Sequence, residues 1–173
     1  NREAVKQQLQ AALVAIPGHA EYYRDKIESL TVPYLKSSEE YDKTRRDPLV
    51  NGKPIGTLFS EVDRERMWSL QTLRELPSLE TLRVLGEMLN DERMLIKLLP
   101  DKSNWEEVQI VRPTSQRAAY TLREMIENPP TPIDWNYERD MPVWQNWWRQ
   151  VKEGRRTVRF KGDPQEYGYD GPV

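Results

Sequence analysis

Apolar residues recur along this chain at helical spacing in paired stretches, each pair divided by a proline. Val5, Leu9, Ala12, Leu13 and Ile16 trace one helical stripe, and after Pro17-Gly18 so do Ala20, Tyr23, Ile27 and Leu30. Pro17 cannot continue a helix and Gly18 permits a tight reversal, so about Arg2–Leu30 is expected to form a helical hairpin. A second hairpin repeats the phrase: Leu13-Val14-Ala15-Ile16-Pro17 returns as Leu73-Arg74-Glu75-Leu76-Pro77. Met67, Leu70 and Leu73 precede the break, and Leu79, Leu82, Leu85 and Leu89 follow it before Asn90-Asp91. Helices joined so tightly are expected to pack antiparallel.

A third, looser pair comprises Ala118, Ala119, Leu122, Met125 and Ile126, then Trp144, Trp147, Trp148 and Val151. The Pro129-Pro130-Thr131-Pro132 run between them bars any helix. Asp140 reads as the N-cap of the last helix, with Pro142 in its first turn. Ser103 and Glu106 at capping-box spacing suggest a short helix over 104–111, and Ser37 with Glu40 repeats that spacing. Residues 31–60 read as a loop insert, with Asn51-Gly52 as a small hairpin turn. Beyond Gly154, Thr157-Val158-Arg159-Phe160 alternates, and the tail 154–173 is expected to be extended. The sequence therefore specifies an all-α fold of about six to seven helices, in one domain over residues 1–173. A chain of 173 residues is long enough to bury about 68–70% of its unfolded surface.

A helix ending in Leu-x-x-Leu-Pro, a second ending at Asn90-Asp91 and a third opening near Arg117-Ala118-Ala119 together resemble HEAT-type α-solenoid repeats over residues 64–127. With its Trp-rich helix and Arg159-Phe160-Lys161-Gly162-Asp163-Pro164-Gln165-Glu166-Tyr167 tail, the whole chain also resembles bacterial HEAT-like proteins. The resemblance implies stacked antiparallel hairpins, as an α-α superhelix or a compact bundle, and it implies no activity.

Composition narrows the function classes. No cysteine is present, which excludes disulfides, thiolate nucleophiles and Cys-based metal sites. The chain has no His-x-x-x-His pair, P-loop, GxGxxG or Gly-x-Ser-x-Gly, so neither a catalytic residue nor a metal or cofactor is expected. His19, the single histidine, has Glu21 and Asp25 nearby and reads as a first-turn helix residue in preference to a general base. No apolar run is long enough to span a bilayer. Residue 1 is Asn rather than Met, which leaves the compartment open: periplasmic or secreted where a signal preceded Asn1, cytoplasmic otherwise.

A net charge of −2 weighs against a protein built to coat nucleic acid. Yet Arg149, Lys152, Arg155, Arg156, Arg159 and Lys161 form a local basic patch, to be either free or neutralised by Asp163, Glu166 and Asp170. The same three acids are at a spacing that fits no EF-hand calcium loop. Trp144, Trp147 and Trp148, with Trp135 and Tyr137, make either a core stripe or an aromatic platform. The resulting expectation is a non-enzymatic scaffold that binds a protein or peptide, with Trp135, Tyr137, Arg155, Arg156 and Arg159 as contacts. The alternatives are a nucleic-acid-binding HEAT-like fold of the DNA-glycosylase type and an aromatic carbohydrate-binding surface.

Overall fold

The computed structural model describes residues 2–29, 49–50, 53–91, 95–98, 108–111, 114–131 and 136–173, with side chains over 2–29, 64–91, 114–131 and 136–173. Six helices dominate these residues: α1 (Arg2–Val14), α2 (residues 19–29), α3 (Ile55–Arg74), α4 (Leu79–Met88), α5 (Thr114–Met125) and α6 (Tyr137–Lys152). The fold is all-α. Short antiparallel pairs decorate it: β1 (Leu49–Val50) with β2 (Lys53–Pro54), β3 (Leu95–Leu98) with β4 (Val108–Val111), and β5 (Val158–Arg159) with β6 (Glu166–Tyr167).

Three elements differ from the sequence reading. Val108–Val111 is a strand in register with Leu95–Leu98, so no helix runs to Val111. Its β-branched residues favour a pleated ladder once a partner strand supplies hydrogen bonds, and Ser103 and Glu106 lie outside the described residues. Helix α3 opens at Ile55, inside the span read as a loop. The pairing of Leu49 with Pro54 and Val50 with Lys53 brackets positions 51 and 52, and Asn51-Gly52 itself lies outside the described residues, as do Ser37 and Glu40. Lastly, α6 is capped by Asn136, whose side chain accepts the Arg139 amide at 3.0 Å, while Asp140 reaches back to the Asn136 amide at 2.7 Å. Asp140 is thus the reciprocal partner of the cap, and Pro142 falls inside the helix.

Helix α5 is the hub, packing on α3, α4 and α6. The core combines Leu82, Leu85 and Leu89 of α4, Ala118, Ala119 and Leu122 of α5 and Trp144, Trp147, Trp148 and Val151 of α6. Small alanines on α5 let the large rings of α6 fill the space between helices. Gly86 sits against Trp148: a β-carbon there would land inside the indole, on Cδ2 and Cε2. The buried indoles keep their polar edges satisfied, Trp144 Nε1 donating to Thr131 Oγ1 at 2.9 Å and Trp148 Nε1 to Glu87 Oε1 at 3.2 Å. Thr131→Val, nearly isosteric, orphans the Trp144 N–H and is expected to cost about 1–3 kcal/mol in denaturant unfolding.

The tail is extended and clasps the helices. The Lys161 amide donates to Met125 O at 2.8 Å and the Glu127 amide to Arg159 O at 3.0 Å, which satisfies carbonyl and amide groups left over where α5 ends. Arg83 of α4 donates from Nε to Tyr169 O at 2.8 Å and lies over the Tyr169 ring.

Candidate functional site

Helix α1 is mounted with its apolar face outward. Its polar side meets the body: Lys6 Nζ pairs with Glu75 Oε2 at 3.0 Å, and Gln10 Nε2 donates to Glu75 O at 2.9 Å, at the end of α3. The stripe read from the sequence points elsewhere, with Val5 54%, Leu9 60%, Leu13 44% and Ile16 54% exposed. No residue of α1 is buried. The contrast with the second copy of the phrase is direct: Leu73 and Leu76, which correspond to Leu13 and Ile16, are buried. Scattered single apolar residues on a surface need no explanation, whereas Val5, Leu9 and Leu13 line up along one side of α1 and Ile16 follows in the turn.

What fixes α1 and α2 to the body is a clamp between the two proline turns. At the first turn Gly18 adopts φ 82°, a left-handed conformation that suits glycine. Glu80, in the first turn of α4, reaches across: Oε2 accepts the Gly18 amide at 3.1 Å, and Oε1 accepts those of Ala20 at 2.9 Å and Glu21 at 3.3 Å. One carboxylate thereby caps the N-terminus of α2 from another hairpin. Burial pushes the Glu80 carboxyl up, but the backbone amides of Ala20, Gly18 and Glu21, with His19, outweigh it and hold it below its ordinary value. Lys26 pairs with Glu65 at 3.0 Å further along, so α2 runs antiparallel to α3.

His19 lies within this clamp. Its Nδ1 is 2.9 Å from Ile16 O and 3.4 Å from Glu80 Oε2, and its Nε2 is 3.0 Å from Ser78 Oγ. Ser78, His19 and Glu80 stand in the hydroxyl, imidazole, carboxylate order of a nucleophilic triad, an arrangement that sequence spacing alone did not reveal. Their other bonds assign them to structure. Ser78 Oγ is the N-cap of α4, accepting the Thr81 amide at 3.0 Å, Glu80 holds three amides, and the His19 side chain is only 5% exposed. Ser78 spends its own hydroxyl proton on Thr81 Oγ1 at 3.0 Å, and Thr81 Oγ1 donates in turn to Leu76 O at 2.7 Å, so this hydroxyl is held within the turn. The signal that could have found it is the repeated Leu-x-x-x-Pro phrase, whose two turns lie side by side.

Of the sequence-predicted contact residues, Tyr137 stands at the start of α6 and Arg155, Arg156 and Arg159 follow its end. Tyr137 opens α6, half-buried, its hydroxyl 3.4 Å from Ser115 Oγ. Arg155, Arg156 and Arg159 are exposed. Arg155 pairs with Glu153, Arg156 Nε donates to Gln150 Oε1 at 3.1 Å, and Arg159 pairs with Glu166 at 2.6 Å. Asp163 instead accepts the Tyr167 hydroxyl at 2.9 Å. Trp135 lies outside the described residues. Trp144, Trp147 and Trp148 are core residues, with no face open to stack a sugar or a base.

Two shallow grooves lie apart from the clamp. One, of about 470 Å³, runs between α3 and α5 over Met67, Leu70 and Tyr120 and is bordered by the Arg74–Glu124 ion pair at 2.6 Å. The other, of about 410 Å³, is lined by Asn90, Asn146, Arg149 and Lys152. Among the described residues no group of three or more His, Asp or Glu side chains could hold a metal ion, and no helix is long and apolar enough to cross a membrane. Compared with known proteins, the chain matches no family, no curated sequence and no solved structure.

Proposed function

We propose that this chain is a non-enzymatic interaction module, a HEAT-like stack of helical hairpins whose first helix is its docking surface. The observation that carries this reading is the exposed stripe Val5, Leu9 and Leu13 on a helix that buries nothing of its own, continued by Ile16 in the turn that follows. An amphipathic helix presenting anchors at i, i+4 and i+8 fits the groove of a protein partner or the face of another helix. The locked proline turns support a stack of hairpins, because they set the first hairpin rigidly against the second. Arg155, Arg156 and Arg159 form a secondary, polar contact surface whose charges are largely met by Glu153 and Glu166.

Affinity capture from native lysate separates these surfaces. Leu9→Glu with Leu13→Glu is expected to abolish retention of a specific protein while leaving the thermal transition in place, since neither side chain is buried. The triple change Arg155→Glu, Arg156→Glu, Arg159→Glu is expected to retain that partner and to alter stability by less than about 1 kcal/mol per lost surface pair. Equal retention by the stripe variant would overturn the assignment of α1 as the docking surface.

A further inference from the structure

Side-chain oxygens hold the starts of three helices: Glu80 serves α2, Ser78 serves α4 and Asn136 serves α6. The start of α5 is arranged differently. An α-helix begins with main-chain N–H groups that have no acceptor within it, and Pro113, which precedes α5 in sequence, has no side-chain oxygen to offer them. The Ser115 amide donates to Asp91 O at 3.0 Å, and Ser115 Oγ lies 3.4 Å from the Tyr137 hydroxyl. Thr114 beside it is only 1% exposed, yet its Oγ1 has no hydrogen-bond partner. Buried hydroxyls are normally paired, so this one points to a ligand that supplies the acceptor.

Positive charge gathers at the same place. Arg117 lies in the first turn of α5, and the N-terminal end of a helix carries the positive pole of its dipole. Helices α3 and α5 run side by side in one direction: Arg74 pairs with Glu124, and further back Met67 and Leu70 share the groove of about 470 Å³ with Arg117 and Tyr120. Continuing that register brings Arg66, fully buried on α3, level with the first turn of α5. The groove therefore runs from a neutralised ion pair to a cationic end, over an apolar floor. We infer that it is a binding site for a small phosphate monoester with an apolar body, a role separate from protein docking on α1. Phosphate oxygens at the start of α5 accept from Thr114 Oγ1 and the first-turn amides, with Arg117 and Arg66 as counter-charges. The body of the ligand then covers Met67, Leu70 and Tyr120. Two guanidinium groups and a helix end match the near-double charge of a phosphate monoester better than the single charge of a carboxylate. The groove also falls within the range of about 300–1,000 Å³ usual for small-ligand sites.

Calorimetric titration of the full chain at fixed ionic strength tests the site, with phenyl phosphate, inorganic phosphate and phenol as probes. Phenyl phosphate is expected to bind saturably and at least about tenfold more tightly than inorganic phosphate, because its ring buries apolar surface in the groove. Thr114→Val is close to isosteric and Arg117→Gln falls on a partly exposed residue, so neither change should unfold the chain. Each is expected to weaken both phosphates about tenfold, with helical circular dichroism and the thermal midpoint unchanged. Met67→Gln, on an exposed residue of the floor, is expected to bring phenyl phosphate down toward the affinity of inorganic phosphate. Heat of binding no greater than that of a sodium chloride blank, phenol binding as tightly as phenyl phosphate, or undiminished binding by both the Thr114→Val and Arg117→Gln variants would each overturn the inference.

Discussion

Gly86→Ala is expected to destabilise the protein by about 1–3 kcal/mol, although the same change in an ordinary helix interior stabilises by nearly 1 kcal/mol. The reversed sign comes from Trp148. Its ring occupies the space that a β-carbon on residue 86 would need. The indole cannot step aside easily, because it is 1% exposed, bonded through Nε1 to Glu87 and set against Tyr169 with ring centroids 5.8 Å apart. Adding one methyl group therefore pushes α4 and α6 apart or forces the indole off its rotamer. Urea unfolding of Gly86→Ala, Trp148→Leu and the double variant gives the coupling: the alanine is expected to cost far less once the indole has gone. An alanine variant as stable as the parent would show that α4 and α6 do not meet at this close approach.

Glu80→Gln is expected to cost about 1–3 kcal/mol and to change how stability depends on pH. A carboxylate offers two acceptor oxygens to the Gly18, Ala20 and Glu21 amides, whereas an amide offers one and turns its NH₂ toward donors. The sign in pH follows from the direction of the shift. The folded-state carboxyl is held below its ordinary 4.5, so its contribution is complete above that value and is lost as pH falls through the lower folded value. Glu75, held down chiefly by Lys6, and Asp140, held down chiefly by Arg139, lose their contributions in the same acid range in both proteins. The informative quantity is therefore the stability difference between parent and Glu80→Gln, expected to be constant at neutral pH and to shrink below about pH 4.5. A difference that stays level into acid would mean that Glu80 does not cap α2 as an anion.

Where neighbours in sequence decide the outcome, the chain was readable. Leu82, Leu85 and Leu89 form a buried face as their spacing requires, Trp144, Trp147, Trp148 and Val151 do likewise, and Pro17 and Pro77 end helices where they stand. What escaped depends on partners distant in sequence. Val108–Val111 needed Leu95–Leu98 to become a strand, and the cap of α2 is a glutamate about 60 residues away. Periodicity shows that α1 is two-faced without saying which face meets the body. That was decided by Glu75, which takes Lys6 and Gln10 and leaves the leucines outside. The uncharged run from Gln7 to Ile16 was the available hint of a contact surface.

The clasp of residues 158–173 also bears on the order of assembly during synthesis. Main-chain partners at the end of α5, and the carbonyl and ring that engage Arg83, come from residues translated long after α4 and α5 themselves. A nascent chain that has emerged only through α6 lacks the lid over Trp148 and the Phe160 side chain of the core. Apolar rings then stay within reach of chaperones until residues 158–173 have left the ribosome, and a stall before that point is where aggregation competes with folding.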